Sequence, residues 1–145
     1  MNVISNVLFK FANSFNLKDW AGLVSTLMDQ VDCDYKDLRG KTDSYTKTEY
    51  VNSRKEALSH LKTQHLFSNL EIRCEKEYSY CRLSAVIYRQ DKDGKKFNSH
   101  VIYNFELTRL FNNEWKIHKI KQVVLWNEGD STIYRVCELN LRVDL

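Results

Sequence analysis

Histidine and carboxylate side chains on one predicted strand are candidates for proton transfer in this sequence. His100 and Glu106 share a strand face with Asn104, because side chains an even number of residues apart on a strand point the same way. A histidine paired with a carboxylate can move protons near neutral pH if both lie in a pocket. The same alternation is typical of residues that face water on a one-sided sheet, and the pattern favours this second interpretation.

His65 is the other histidine that could act as a base. It begins the first long predicted strand, and its alternation groups it with polar rather than apolar neighbours. The polar group contains Asn69, Glu71 and Arg73, and the apolar group contains Leu66, Leu70 and Ile72. Unless a bulge reverses the alternation, this grouping predicts a solvent-facing side chain. The sequence therefore leaves open whether His65 is a functional residue or a solvent-facing one.

The sequence lacks the common motifs for metal binding, nucleotide binding and hydrolysis. The four cysteines, Cys33, Cys74, Cys81 and Cys137, form no Cys-x-x-Cys pair and have no accompanying histidine at zinc spacing. We therefore expect free, buried thiols and no metal. A phosphate-binding glycine loop and a recognisable Ser, His and Asp arrangement are also absent, so we expect no cofactor and neither a nucleotide-binding nor a hydrolase function.

Composition narrows the class of protein. The 145 residues contain 22 Lys and Arg against 19 Asp and Glu, and both signs are scattered along the chain, which argues against a nucleic-acid surface. Polar residues interrupt the apolar positions near the N-terminus, so neither a signal peptide nor a membrane span is predicted. With no proline, no repeat and only four glycines, we expect one cytoplasmic domain over residues 1–145.

The first half of the chain has the period of helices. Apolar residues recur every three or four positions in a first segment (Ile4, Leu8, Phe11, Phe15) and a second (Trp20, Leu23, Val24, Leu27, Met28). Asn16 stands where an N-cap of the second helix is expected. Thr46 and Glu49 form a capping box that opens a third helix, with a stripe of Tyr50, Ala57, Leu58 and Leu61. A short strand over residues 31–35 separates the last two helices.

The second half changes to a period of two. Asp93-Gly94 and Asn112-Asn113 mark hairpin turns, because Gly and Asn tolerate the positive φ that such turns require. They delimit long strands, the clearest over residues 97–111 and the last over 114–126. We therefore predict an α+β fold in which N-terminal helices pack on a curved antiparallel sheet. Residues 130–145 have mixed periodicity and could form a lid or an edge strand.

Specific residues resemble a known family. The stretch from Ala12 to Trp20, then Asp34-Tyr35, then Thr63-Gln64-His65 occur in an order and at separations like those of the SnoaL-like proteins. Trp115-Lys116, and Trp126 with Gly129 just after it, continue the match. These proteins have the cone-shaped α+β barrel of the nuclear-transport-factor-2-like superfamily, and the chain is most similar to the scytalone dehydratases. The resemblance covers about residues 7–129.

The resemblance implies a set of pocket residues. A Tyr, a His and an Asn of the dehydratase pocket fall on Tyr35, His65 and Asn104. Three other pocket positions carry different residues here: a Tyr is replaced by Phe15, an Asp by Asn16 and a Ser by Ile102. Trp126 is a further ligand-binding position that the resemblance suggests. Loss of the Asp removes a charge that would raise the pKa of a neighbouring histidine.

These residues lead to a functional hypothesis with an alternative. The resemblance implies a dehydratase, isomerase or cyclase that acts on a cyclic, polyketide- or steroid-like carbonyl compound in an apolar pocket, with His65 as general base and Tyr35 polarising the carbonyl oxygen. The replacements at Phe15, Asn16 and Ile102 motivate the alternative, a ligand-binding or structural subunit without catalysis. In either case we expect a small apolar or aromatic ligand and no nucleic acid or membrane partner.

The strand that carries Asn104 also predicts self-association. Its opposite face is continuously apolar, formed by Phe97, Val101, Tyr103, Phe105 and Leu107. If Asn104 faces the pocket, this apolar face must be covered from outside, which predicts an interface in a homodimer or other homo-oligomer. In the opposite arrangement the apolar face forms the core, and His100 and Asn104 lie outside.

Overall fold

A computed structural model describes residues 2–34 and 42–134, which form helices on one layer and a sheet on the other. The helices are α1 (Asn2–Leu17), α2 (Trp20–Ser25) and α3 (Lys47–Leu58). The strands are β1 (Leu27–Asp34), β2 (Thr42–Thr46), β3 (Lys62–Glu75), β4 (Tyr78–Gln90), β5 (Phe97–Arg109) and β6 (Trp115–Gly129). A short 3-10 helix, Ser131–Ile133, follows the last strand.

The helices form where the apolar period predicted them. All four stripe residues of α1 are buried, and burying each large apolar side chain contributes about 1.5–3 kcal/mol. Thr46 and Glu49 form the reciprocal capping box at the start of α3, as predicted. Buried Tyr50, Ala57 and Leu58 place the inner stripe of α3 against the core.

The junction between α1 and α2 differs from the prediction. Asp19, rather than Asn16, is the N-cap of α2, and its carboxylate accepts a hydrogen bond of 2.9 Å from the Gly22 amide. Asn16 belongs to the last turn of α1. Because α2 ends at Ser25, the predicted helical residues Leu27 and Met28 instead open β1. Tertiary pairing overrides helical spacing here, since Leu27 pairs with Ile117 of β6.

The six strands form an open mixed sheet in the order β2-β1-β6-β5-β4-β3. Strands β3 to β6 make the predicted antiparallel meander, whereas β1 lies parallel to β6. Gly94 (φ 84°) and Asn113 (φ 68°) adopt the left-handed conformation in the two predicted hairpin turns. The cone-shaped α+β fold is thereby confirmed, with one parallel pair that alternation alone did not predict.

The core lies between the helices and one face of the sheet, called here the inner face. On β5 the inner residues are Phe97, Val101, Tyr103, Phe105 and Leu107, all buried. The prediction that this apolar face is an oligomer interface is therefore wrong, because helices of the same chain cover it. Residues of opposite alternation, including His100, Ile102 and Asn104, lie on the outer face.

The first part of β3 has the orientation opposite to the one that simple alternation predicts. His65 is buried on the inner face and Leu66 is 47% exposed on the outer face, whereas Ile72, later in the strand, pairs with buried Cys81. Asn69 has a φ of 55°, and the pairing with β4 shifts between Ser68 and Glu71. This bulge changes the alternation along the strand, so residues before and after it cannot be assigned to one face by counting.

The end of the described chain closes one side of the core. Asp130 caps the 3-10 helix through the Thr132 amide, and Ile133 and Tyr134 are buried. The predicted lid or edge strand over residues 130–145 falls mainly on residues 135–145, which lie outside the described residues. Of the described cysteines, Cys33 and Cys81 are buried as expected, whereas Cys74 is exposed.

Candidate functional site

A cavity of about 30 Å³ lies between α1, α3 and the inner face of the sheet. A space of this size holds a group of one or two water-sized units. Its walls are Phe15, Tyr50, Arg54, Leu58, His65, Ile87, Arg89, Tyr103, Gln122 and Tyr134. The lining includes two guanidinium groups, an imidazole, an amide and three phenols, so it is far more polar than the apolar pocket expected from the sequence.

His65 enters this cavity from the start of β3. Its side chain is only 6% exposed, and its ring stacks on Phe15 with centroids 4.6 Å apart and an interplanar angle of 23°. The Nδ1 atom is buried and has no hydrogen-bond partner among the described residues. Burial, followed by the positive charges of Arg89 and Arg54, lowers the pKa of His65 to about 3. The imidazole is therefore neutral at physiological pH.

Asn16 fixes the backbone at this histidine. Its Oδ1 accepts a 2.6 Å hydrogen bond from the His65 amide, and its Nδ2 donates a 3.3 Å bond to the His65 carbonyl. The side chain is thus neither the predicted helix cap nor part of the cavity lining. Because it satisfies both backbone groups of one residue, it sets the position where β3 enters the site.

Arg89 continues the inward alternation of β4 into the cavity and is only 4% exposed. Its Nη1 donates to the Ser99 hydroxyl at 3.0 Å and to the Phe97 carbonyl at 3.4 Å. The guanidinium carbon lies 4.6 Å from the Tyr134 ring centroid and 5.2 Å from that of Phe97. Burial lowers the pKa of Arg89, and its buried Nε has no partner among the described residues.

Two phenol groups complete the polar wall. The Tyr103 oxygen accepts a 3.1 Å hydrogen bond from Gln122 Nε2, which leaves the phenol O–H available as a donor. Burial raises the pKa of Tyr103, so this hydroxyl stays protonated. The Tyr134 oxygen accepts a 2.7 Å bond from Arg54 Nη1, which links α3 to the segment after β6.

The structure brings together only part of the set predicted from the sequence. Phe15 and His65 line the cavity, and Asn16 contacts the His65 backbone. The other three predicted residues lie on the outer face instead. Ile102 and Asn104 alternate with the buried residues of β5, and Trp126 of β6 pairs with His100, which is itself an outer residue. Tyr35 lies outside the described residues.

The suggested pairing of His100 with Glu106 is not formed. His100 stacks on Trp126 with centroids 4.1 Å apart, and its Nε2 lies 2.9 Å from Glu128 Oε1. Glu106 lies 3.4 Å from His118 Nε2 instead. These polar contacts lie on the outer face and are partly exposed, which matches the solvated interpretation that the alternation favoured.

Two cavity residues that the sequence analysis did not predict, Arg54 and Arg89, have a recognisable sequence signal. Arg89 is the next inward position after Cys81, Leu83, Ala85 and Ile87, so a charged residue interrupts an apolar series in phase. Arg54 similarly lies one helical turn from both Tyr50 and Leu58 on α3. A charged side chain that continues a buried stripe is a stronger functional signal than one outside it.

Other arrangements in the described chain are less suited to chemistry. Residues 2–34 and 42–134 contain no group of three His, Cys, Asp or Glu side chains that could hold a metal. A broader groove beside the β5–β6 turn is lined by Glu77, Arg109 and residues 110–113, and its charged groups are exposed. None of the helices in the described part is both long and apolar enough to cross a membrane.

Comparisons with known proteins agree with this architecture. A family model described as a SnoaL-like domain matches residues 2–121. No curated protein is similar enough in sequence to count as a match. Among solved structures, a protein of Kribbella flavida superposes with a TM-score of 0.82 at 14% identity, covering 90% of this chain and 93% of that one.

Two further solved structures have names that describe lyase-type chemistry. A candidate scytalone dehydratase from Novosphingobium aromaticivorans has a TM-score of 0.75 at 11% identity, covering 94% of this chain and 89% of its own. A hexachlorocyclohexane dehydrochlorinase, LinA-type3, from Novosphingobium barchaimii has a TM-score of 0.73 at 12% identity, with coverages of 94% and 93%. At these identities the similarity establishes the shared fold.

Proposed function

This chain belongs to the family of SnoaL-like domains in the nuclear-transport-factor-2-like superfamily, and we propose from that premise that it removes a proton from a small carbonyl compound in the inner cavity. The observation that carries the proposal is His65, a neutral imidazole buried in the cavity whose Nδ1 has no partner among the described residues. In one tautomer, Nδ1 has the lone pair that accepts a proton.

The proposed step begins at the carbon next to the carbonyl. An imidazole nitrogen of His65 takes a proton from that carbon, the C–H electron pair forms a C=C bond to the carbonyl carbon, and the C=O π pair moves to the oxygen to give an enolate. In a dehydration, the enolate re-forms the carbonyl and expels a hydroxyl from the neighbouring carbon. That hydroxyl leaves as water after it takes the proton from the imidazolium. In an isomerisation the proton returns to a different carbon.

The cavity supplies groups that favour such an enolate. The Tyr103 hydroxyl is available to donate a hydrogen bond to the developing oxyanion, and Gln122 holds its oxygen in place. The buried charges of Arg89 and Arg54 stabilise negative charge more strongly than exposed charges would. The same negative charge would raise the pKa of His65 during the reaction and offset its low basicity in the free protein. The predicted role of Tyr35 as a second donor stays a prediction.

Turnover of a panel of small acyclic β-hydroxy ketones and enones, each tested with and without a carboxylate group, tests this proposal. We expect His65→Gln to lower kcat/KM at least 100-fold and Tyr103→Phe at least tenfold on any compound that the wild type converts. His100→Gln is the matched control, because this imidazole stacks on Trp126 at the outer face. Equal turnover by wild type and His65→Gln would remove the catalytic assignment.

A ligand-binding domain without catalysis is the second candidate. It is favoured by the contact of Asn16 with the His65 backbone rather than with the imidazole, since no described carboxylate supports the ring as a base. Saturable binding of a panel compound by both wild type and His65→Gln, without conversion by either, would support this candidate. Conversion that depends on His65 would exclude it.

A further inference from the structure

We infer that Arg89 binds a carboxylate group of the ligand inside the cavity, so that the natural ligand is a small organic acid or carries an acid at one end. This inference rests on the proposed use of the cavity as the ligand site and specifies the chemical class of that ligand. It differs from the expectation of a purely apolar or aromatic ligand.

Arg89 is a buried cation without a counter-ion among the described residues. The side chain is 96% buried, yet both of its hydrogen-bond acceptors are neutral, a serine hydroxyl and a backbone carbonyl. No described carboxylate forms an ion pair with it. A buried charge without an opposite charge is costly, and proteins retain one where it binds something.

The surroundings of the Arg89 guanidinium favour a partner that lies in its plane. The rings of Tyr134 and Phe97 lie near its carbon, within cation–π distance, so the favourable directions for further partners are the N–H bonds in the plane. Nη1 is already used, whereas Nε is buried without a partner. A carboxylate has two coplanar oxygens that match adjacent N–H donors of an arginine, which a single spherical ion cannot match.

The ionisable side chains of the cavity lining include no acidic group among the described residues. Arg54 adds a second guanidinium, and the described lining contains no Asp or Glu. His65 is neutral and Tyr103 is protonated, so neither cancels the positive charge. The field of the buried Arg89 guanidinium in a low-dielectric cavity favours an anion over a neutral molecule of the same shape.

The size of the cavity suggests the probe for a test. A volume of about 30 Å³ accommodates a group as small as formate but not an aromatic ring. Formate and its neutral isostere formamide therefore separate charge from shape. Binding can be followed by NMR through the imidazole resonances of His65. Formate is titrated into the full chain in place of chloride, so that the ionic strength stays constant.

We expect formate to shift the His65 resonances saturably and formamide to leave them unchanged. Arg89→Gln should weaken formate binding at least tenfold, and Arg89→Lys should weaken it several-fold because lysine lacks the planar fork. Arg82→Gln is the matched control, since Arg82 is exposed on the outer face and pairs with Glu71. It removes the same charge and should leave the affinity unchanged.

The comparison of formate with formamide needs no variant, so it remains decisive if Arg89→Gln fails to fold. Three results would overturn the inference. They are equal shifts with formate and formamide, chloride that binds the site as tightly as formate, and a folded Arg89→Gln variant that binds formate with wild-type affinity. Benzoate in place of formate separates a free small acid from the acid end of a larger ligand. Formate binding without turnover of any panel compound would contradict the proposed catalysis alone, and turnover without formate binding would contradict this inference alone.

Discussion

Asn16 holds both backbone groups of His65 across 49 residues of sequence, with its Oδ1 2.6 Å from the amide nitrogen and its Nδ2 3.3 Å from the carbonyl oxygen. The last turn of α1 is thereby attached to the first buried residue of β3. This contact keeps the imidazole in the cavity without touching it.

Asn16→Ala should destabilise the fold and loosen the site. Two hydrogen bonds at about 0.5–1.5 kcal/mol each predict a loss of about 1–3 kcal/mol in the free energy of unfolding. Asn13→Ala, an exposed position on the same helix, is the control and should change stability by less than about 0.5 kcal/mol. Urea denaturation of the three proteins measures the effect. Equal midpoints for Asn16→Ala and wild type would show that the contact contributes nothing.

The low pKa of His65 predicts a loss of stability in acid. The pKa of about 3 in the folded protein lies below the ordinary 6.5, so the unfolded chain binds more protons at this residue between these values. Its contribution to stability is complete above pH 6.5 and decreases as the pH falls toward 3, by up to about 1.4 kcal/mol per pH unit. Denaturation of wild type and His65→Gln from pH 7 to 4 should therefore give a shallower dependence for the variant. Parallel curves would mean that His65 titrates normally.

Arg89 should be costly to the fold. Replacement of a buried charge by an apolar side chain of similar size is often neutral or stabilising. We therefore expect Arg89→Met to leave the free energy of unfolding unchanged within about 1 kcal/mol or to raise it, while binding of formate is lost. A decrease of more than about 3 kcal/mol would instead assign Arg89 a structural role through Ser99 and the Phe97 carbonyl. Thermal and urea denaturation distinguish the two results.

The capping box of α3 is a purely local feature and provides a simple test. Thr46→Ala removes the acceptor of the Glu49 amide and should cost about 1 kcal/mol. Thr48→Ala, exposed in the first turn of the same helix, should be close to neutral. Because α3 carries Tyr50 and Arg54, the capping variant should also weaken ligand binding if the helix start becomes frayed.

Self-association stays a prediction, and its expected surface changes. The apolar face of β5 is inside the monomer, whereas Leu66, Val86, Ile102 and Trp126 lie on the outer face across β3 to β6. We expect light scattering at micromolar concentration to give a mass above 17.2 kDa, and Leu66→Lys to reduce it. Leu17→Lys, 77% exposed at the end of α1, is the control. A wild-type monomer would contradict the prediction.

The sequence by itself determined the features that depend on neighbours in the chain. The stripe from Ile4 to Phe15 defined α1, and Thr46 with Glu49 defined the start of α3. Gly94 and Asn113 defined two hairpin turns because few other residues adopt positive φ without strain. The order of helices before a meander was enough to indicate the fold.

The tertiary structure alone decided which face of each strand forms the core. A period of two shows that Asn104 and His100 share a face, but it is symmetric and cannot say whether the helices cover that face or the other. The bulge at Asn69 and the pairing partners of β3 placed His65 inside. The helices and four strands then enclosed Arg54 and Arg89 with it, because residues distant in sequence create a cavity only when they pack around the same space.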